Sequence, residues 1–284
     1  MNNVVPLQST PLRCSGPAVE FRSSPASRVW AIATVVIREL CRRKDFYVLF
    51  ILTALISVTL ASVNIFGDDK VVRYLKEICL LLIWVSSLVI AIVTTARQIP
   101  SERENRTLFP LLAKPVSRGQ LLMGKFVGCW MAVGLCLLCF YLFFGLLSGI
   151  KEQSWPVLAY LQAMLLHWAM LAMVVSMTLL GSIVFAAPSS NGTILLVVTG
   201  GILFVGSHLN KLAIGLPEPG QTLVYGLYYV LPHLELFDVR ELLVHGWGLV
   251  PAAPVVGALA YAASYSALFL ALASWRFRRM PVNT

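Results

Sequence analysis

The segment Gly119-Gln-Leu-Leu-Met-Gly124-Lys125-Phe126 comes close to a nucleotide-binding motif. Its two glycines and its lysine have the spacing of a P-loop, in which backbone N–H groups and a lysine hold phosphates. Phe126, however, stands where the motif requires a Ser or Thr hydroxyl to hold Mg²⁺, and no strand pattern precedes the segment. We therefore predict that it is the entrance of a helix. We expect that the chain is not an enzyme, binds no cofactor and cannot hydrolyse ATP by itself.

Acidic and imidazole side chains recur near the C-terminal third of the chain, at Asp238, Glu241 and His245, with His233 nearby. This spacing is compatible with a metal site, but it is also typical of the wet face of a helix at a membrane surface. We favour the second interpretation and predict no metal. His167 lies inside an apolar segment, where we expect it to bond to a Ser or to a backbone carbonyl.

The composition requires that these side chains be positioned by membrane helices. Of the 284 residues, 58% are hydrophobic and only 12% are charged, with a mean hydropathy of +0.80, which excludes an ordinary soluble globule and a disordered chain. A span needs about 20 apolar residues. We therefore predict an all-α integral membrane protein with six transmembrane helices, at 46–66, 78–96, 126–150, 157–187, 193–209 and about 252–275.

The positive charges predict how these spans are oriented. Sixteen of the 22 Lys and Arg residues fall in the first 45 residues, in the loop between the second and third spans, or after the last span. Because positive loops are retained in the cytoplasm, both termini are predicted to be cytoplasmic, in a multi-pass protein of the cell inner (plasma) membrane. An organellar membrane is the alternative, since the Ser- and Arg-containing N-terminus has the bias of a transit peptide.

The N-terminal region is predicted to have two parts. Residues 1–28 cannot build a core and are predicted to be a disordered cytoplasmic tail, followed by a six-span transmembrane domain over 29–280. Ser27 is a candidate cap for an amphipathic helix starting near Arg28, with Trp30 on its apolar side. We expect this helix to lie on the inner leaflet rather than to extend the first span.

The loop between the second and third spans has the most specific pattern. Ser101 with Glu104, and Ser117 with Gln120, both match a capping box. Prolines separate the two, which predicts a short amphipathic helix held at the membrane surface with Leu108 on its apolar side. Such a helix would contact a cytoplasmic partner. A solvated loop that only sets the topology is the alternative.

In this loop the chain resembles the permease (membrane) subunits of type-2 ABC exporters. The resemblance rests on Glu102-Arg-Glu-Asn-Arg-Thr-Leu, on the following Leu-Leu-Ala-Lys-Pro-Val-Ser-Arg-Gly-Gln-Leu-Leu, and on Gly124-Lys125-Phe126. It implies that the loop is a coupling helix that docks on a separate ATPase subunit carrying ATP and Mg²⁺. It also implies a pair of permease copies, and short re-entrant helices before the last span. The residues placed on the coupling helix are Glu102, Arg103, Glu104, Arg106 and Leu108.

These features predict an ATP-driven exporter that moves an amphiphilic or hydrophobic substrate across the membrane by alternating access. A secondary transporter is one alternative, for which the pair Gly200-Gly201 would mark a broken helix. A non-transporting scaffold is another. We expect charge reversal on the coupling helix to leave the fold intact.

Two glycine pairs, Gly124 with Gly128 and Gly145 with Gly149, have the spacing that permits close helix packing. They predict a close approach of another helix, either at a homodimer seam or within one subunit.

Overall fold

The computed structural model describes residues 24–42, 44–62, 68–104, 117–185, 187–214 and 217–279, and the regular structure within these ranges is helical. Most of the predicted tail, and the segment 105–116 with Arg106 and Leu108, lie outside them. The helices are α1 (Pro25–Arg42), α2 (Lys44–Ser62), α3 (Asp68–Ala96), α4 (Pro100–Glu104), α5 (Arg118–Glu152), α6 (Val157–Val184), α7 (Pro188–Ile214), α8 (Gly220–Val230), a 3₁₀ turn (Leu234–Phe237), α9 (Arg240–His245) and α10 (Ala252–Arg278).

Each predicted span falls largely on one long helix, and the chain is a multi-pass membrane protein. Within the described residues four helices are long and apolar enough to cross a membrane, namely Val72–Arg103, Arg118–Glu152, Val157–Val184 and Ala252–Arg278. Shorter apolar stretches lie in α2, at Tyr47–Thr59, and in α7, at Pro188–Phe204. Most helices continue past their apolar segment, since backbone hydrogen bonding does not stop where the hydrocarbon does.

Helix α6 occupies the centre of the bundle, between α3, α5 and α10. It is apolar all round, as expected of a helix surrounded by others, and Met170, Val174 and Ile183 are fully buried. Its buried hydroxyls are satisfied locally: Ser176 and Thr178 donate to carbonyls three and four residues earlier, at 2.8 and 2.7 Å. The centre of the bundle is therefore filled by the side chains of α6 rather than by an open cavity.

Reciprocal polar contacts tie α6 to its neighbours. The indole N–H groups of Trp130 and Trp168 each donate to the other residue's carbonyl, at 3.0 and 3.1 Å, and the two rings stack at 4.4 Å. The Gln162 side chain forms a similar pair of hydrogen bonds with the backbone of Val250: its N–H donates to the Val250 carbonyl at 2.8 Å, and its oxygen accepts from the Val250 N–H at 3.0 Å. In an apolar surrounding such pairs leave few unsatisfied groups, so they fix the register of α5 and α10 against α6.

Helix α1 begins at Pro25, earlier than predicted, and its cap is Ser24 rather than Ser27. The Ser24 Oγ accepts from the Ser27 backbone N–H at 3.3 Å, and proline suits the first helical position because its missing N–H would be unpaired there. Ala33 and Val36 are buried against α5, whereas Trp30, which was predicted on the apolar side, is exposed. The helix is amphipathic, as predicted.

Ion pairs join α3 and α5 near both ends of the bundle. At the end that holds α9, called the α9 end, Lys76 of α3 contacts Glu152 of α5. At the end that holds α4, the α4 end, Lys125 of α5 pairs with Glu102 at 2.7 Å. The two helices are therefore antiparallel and are clamped at both ends.

Candidate functional site

The predicted coupling segment begins as a continuation of α3 and not as an independent helix. After the turn 97–99, the Ser101 backbone N–H donates to the Arg97 carbonyl at 3.1 Å, and its hydroxyl donates to the same carbonyl at 2.6 Å. A serine that bonds four residues back lies inside a helix, so the predicted capping box of Ser101 and Glu104 is wrong. The second box is confirmed, because Ser117 and Gln120 bond each other reciprocally at 3.1 and 3.2 Å.

Glu102 turns into the protein. Its carboxylate pairs with the Nζ of Lys125, whose side chain is only 5% exposed. Lys125 also donates to the backbone carbonyl and to the side-chain oxygen of Gln98, at 3.2 and 3.1 Å. These three oxygens satisfy the ammonium, as a buried charge requires. The Glu102 carboxylate therefore contributes to the packing of α4 on α5, a contact that the expectation about charge reversal did not include.

The other predicted coupling residues lie at or beyond the end of α4. Arg103 is half-buried close to Arg276 of α10. Glu104 ends α4, but its side chain is outside the described part, as are Arg106 and Leu108. Their roles remain predictions.

The α4 end also contacts the C-terminal helix. The guanidinium of Arg118 donates to the Phe277 carbonyl at 2.7 Å and lies 5.6 Å from the Phe277 ring centroid. Because Arg118 begins α5, this contact joins the segment after the predicted coupling helix to the end of α10. The predicted coupling region is thus connected to α3, α5 and α10 at their α4 ends.

The segment that resembles a P-loop is helical throughout. Residues 118–126 form the first turns of α5, and Lys125 is engaged by Glu102 rather than turned towards solvent. A nucleotide-binding loop needs free backbone N–H groups, which a continuous helix does not offer past its first turn.

The glycine pairs contact side chains of the same chain. A Cβ built at Gly124 would lie 2.7 Å from the Cβ of Ile32, and one at Gly128 would lie 2.8 Å from the Cβ of Val36. Both partners are on α1. The first pair therefore makes a groove in α5 that seats α1.

The second pair lies near the turn between α5 and α6. At Gly149 the Trp155 ring would be 2.6 Å from an added Cβ, whereas at Gly145 the nearest atom is 3.6 Å away, on Tyr160. Gly149 is therefore needed for a close approach within the subunit, and Gly145 has ordinary room.

A cleft of about 320 Å³ lies between the central parts of α3 and α7. Its walls are apolar, with Trp84, Leu88 and Ile92 on α3, and Leu196, Leu203 and Phe204 on α7. Glu235, Asp238 and Arg240 close its end. The cleft has the size and the mostly apolar lining of a small-molecule site.

The segment over the cleft is held by charge and aromatic contacts. Arg240 donates to both Asp238 oxygens, at 2.8 and 2.6 Å, and its guanidinium lies 4.9 Å from the centroid of the Trp84 ring. Burial alone would raise the pKa of Asp238, but the hydrogen bonds and positive charge of Arg240 outweigh it and hold that pKa below its ordinary value. The pair therefore stays charged and fixes α9 to α3.

Further contacts complete this covering segment, which we call the roof (residues 231–245). The side chains of three of its residues, Leu234, Phe237 and Leu243, are buried. The His233 backbone N–H donates to the Tyr261 hydroxyl of α10 at 2.9 Å. The roof is not one continuous helix: its 3₁₀ turn and α9 are separated at Asp238 and Val239.

The residues considered as metal ligands are engaged separately. Asp238 pairs with Arg240, while the His245 Nδ1 lies 3.0 Å from the Glu241 carbonyl and the His233 Nδ1 lies 3.1 Å from the Tyr261 hydroxyl. In the described part of the chain no cluster of three His, Cys, Asp or Glu side chains is suited to a metal.

His167 is packed as predicted. Its Nε2 lies 2.8 Å from the Ser87 hydroxyl and its Nδ1 lies 3.5 Å from the Tyr141 hydroxyl, between α3 and α5. Both ring nitrogens therefore have partners. This arrangement is that of a structural histidine and not of a proton relay open to water.

Helix α7 is continuous through Gly200 and Gly201, so the helix break that would have favoured a secondary transporter is not present there. Thr199 precedes this pair and lines the cleft. It is 1% exposed, and its hydroxyl has no hydrogen-bond partner among the residues that the structure describes.

Comparison with known proteins agrees with this architecture. The model of the family described as ABC-2 family transporter protein matches residues 30–282, which is most of the chain. No curated protein matched the chain in a sequence search. With apolar spanning helices and a family match over this length, the chain belongs to the ABC-2 type transporter permeases and is the membrane component of an ABC transporter.

Proposed function

We propose that this chain is the permease of an ATP-driven exporter, powered by a separate ATPase subunit that docks at the α4 end. It would cross the membrane six times, pair with a second copy and move an amphiphilic or hydrophobic substrate by alternating access. Members of its family usually work with an ABC ATPase subunit, which supports the first part of this proposal.

The contact of Glu102 with Lys125 carries the argument for coupling. A segment that projected loosely from the membrane could move without moving the helices. Here the start of the segment is a continuation of α3 and is paired with a buried lysine of α5. A push on residues 101–113 would therefore be transmitted to α3 and α5 together.

The cleft supports a substrate route beside α3. Helix α3 forms one wall of the cleft, and Trp84 near the middle of this helix supports the roof through Arg240. Movement of α3 would change the width of the cleft and the seating of the roof. The positive charge of the loops supports placing the α4 end in the cytoplasm and the roof outside.

Co-purification tests the proposal. The full chain carries an affinity tag in its own cells, and mass spectrometry identifies any bound P-loop ATPase, whose ATP hydrolysis is then measured. The variant is the double change Glu104→Lys with Arg106→Glu, which keeps the net charge and avoids Glu102. Since like charges placed together at an interface cost several kcal/mol, we expect bound ATPase to fall by at least about tenfold.

Glu241→Lys is the control, because Glu241 is exposed on α9 at the opposite end. Asp238 is not a suitable control because it holds Arg240. If the double variant retains normal ATPase binding and normal hydrolysis, the segment after α3 is not the coupling element.

A further inference from the structure

The lining of the α3–α7 cleft includes charged side chains as well as apolar ones. The assignment of this cleft as a substrate site rests on the proposed export function. Three charged residues lie among its described lining residues, namely Glu235, Asp238 and Arg240. Asp238 and Arg240 neutralise each other through two short hydrogen bonds. Glu235 therefore gives this lining a single net negative charge.

The position of the Glu235 charge determines which ligands the cleft attracts. Glu235 lies in the 3₁₀ turn of the roof, whereas the walls below it are aliphatic and aromatic side chains. A carboxylate at the end of an apolar cleft attracts a cation more strongly than it would in water, because the effective dielectric constant there is lower. An anion would meet the same carboxylate and be repelled.

A second feature indicates that the cleft receives a ligand. The Thr199 hydroxyl lines the cleft, is buried and has no hydrogen-bond partner among the described residues. Leaving a buried hydroxyl unpaired is unfavourable, and a ligand in the cleft would be next to it.

We propose that the α3–α7 cleft binds an amphiphilic cation, with the apolar body between the two helices and the positive charge towards Glu235. This narrows the amphiphilic or hydrophobic substrate that the sequence predicts to one that carries a positive charge.

A pair of probes of matched shape and opposite charge tests this class. Tetraphenylphosphonium and tetraphenylborate are both four phenyl rings around one atom, and they differ in the sign of the charge. Binding of each is measured on the purified full chain in nanodiscs, for the wild type and for Glu235→Gln. Partition of a probe into the bilayer is the same for both proteins, so it cancels in the comparison.

We expect Glu235→Gln to weaken tetraphenylphosphonium binding by about tenfold, which is about 1.4 kcal/mol, and to leave tetraphenylborate binding unchanged or stronger. Glu241→Gln, which removes a carboxylate from exposed α9, should change neither. If Glu235→Gln alters neither probe, or weakens both equally, the proposal is overturned.

A second variant tests the location of the bound cation without changing any charge in the cleft. A Cβ added at Gly200 meets no atom within 4 Å, and leucine is a better helix former than glycine. Gly200→Leu should therefore fold, fill part of the cleft and weaken tetraphenylphosphonium binding by at least about tenfold. Undiminished binding to Gly200→Leu would place the cation elsewhere and overturn the proposal.

ATPase co-purification from the same preparations separates the two proposals. If the ATPase binds but Glu235→Gln has no effect, the substrate class is wrong and the exporter function stands. If the cation binds as expected but no ATPase is found, the binding site stands and the exporter function is wrong.

Discussion

The pairing of Glu102 with Lys125 predicts that removing the carboxylate and removing the ammonium lower the stability of the protein by different amounts. The Lys125 side chain is 5% exposed and that of Glu102 is 19% exposed. Glu102→Gln would leave a buried ammonium with neutral acceptors, the two Gln98 oxygens and the introduced amide oxygen, and with no negative charge beside it. Lys125→Met would instead leave a carboxylate that can regain water, with the long apolar stem of the lysine replaced by one of similar shape.

The magnitudes follow from this asymmetry. Removing one partner of a buried pair costs about 3–5 kcal/mol when the remaining charge is uncompensated. Because Gln98 still supplies two acceptors, we expect Glu102→Gln to lower the free energy of unfolding by about 2–3 kcal/mol. For Lys125→Met we expect about 1 kcal/mol, and the double variant should lie near Lys125→Met, giving a coupling energy of about 2 kcal/mol.

Unfolding of the purified full chain in mixed micelles measures these differences, with Glu241→Gln as the control for removing an exposed carboxylate. A Lys125→Met loss equal to or larger than that of Glu102→Gln would refute the reasoning. A coupling energy below about 0.5 kcal/mol would show that the two residues act independently.

Three further predictions concern helix packing, pH and the cleft. Gly128→Ala should lower the unfolding free energy by about 1–3 kcal/mol because α1 must move away, whereas Gly201→Ala, with open space at its Cβ, should raise it by up to about 1 kcal/mol in the same unfolding assay. Asp238→Asn should be less stable than the wild type by a constant amount above the ordinary Asp pKa. Since Arg240 lowers the Asp238 pKa, this difference should be lost only as pH falls below that value, in thermal unfolding measured from roughly pH 3 to 7; a difference already lost at about pH 5 would contradict it. Thr199→Val should raise the unfolding free energy by about 1 kcal/mol and leave tetraphenylphosphonium binding unchanged, because that ion has no hydrogen-bonding group.

The sequence predicts the helices well because membrane spans depend on an average over many residues. Charge-free stretches and the length of an apolar run are independent of which neighbour a helix meets. The amphipathic α1 and the capping box at Ser117 were also predictable, since both depend on residues a few positions apart. The family match agrees with the resemblance seen in the loop after the second span.

The errors concern contacts between residues distant in sequence. Ser101 and Glu104 match a capping box, but α3 continues through the turn 97–99 and makes Ser101 an interior residue. The loop pattern predicts Glu102 as a surface charge, and nothing within the loop indicates that Lys125, 23 positions later, is buried beside it. One signal was available: Lys125 lies at the start of a long apolar helix, where a lysine needs a partner.

The cleft was not predictable for the same reason. Trp84, Thr199 and Glu235 come from three elements, and an apolar pattern does not indicate which face of α3 meets α7. Glu235 lies in a 3₁₀ turn that ends before Asp238, and the Asp238 carboxylate pairs with Arg240 and not with a residue of that turn.

The two ion pairs that join α3 and its continuation α4 to α5 restrict how the helices can move in the proposed transport cycle. Lys76 with Glu152 at the α9 end, and Glu102 with Lys125 at the α4 end, oppose any sliding of α3 along α5. Between α3 and α7, by contrast, lies the cleft, and the Asn191 side chain of α7 donates to the Ala96 carbonyl of α3 at 3.5 Å near the α4 end. A displacement started at α4 would therefore move α3 and α5 as one body against α7. The cleft would change its width at the level of Trp84, below the roof that Arg240 fastens to the moving helix.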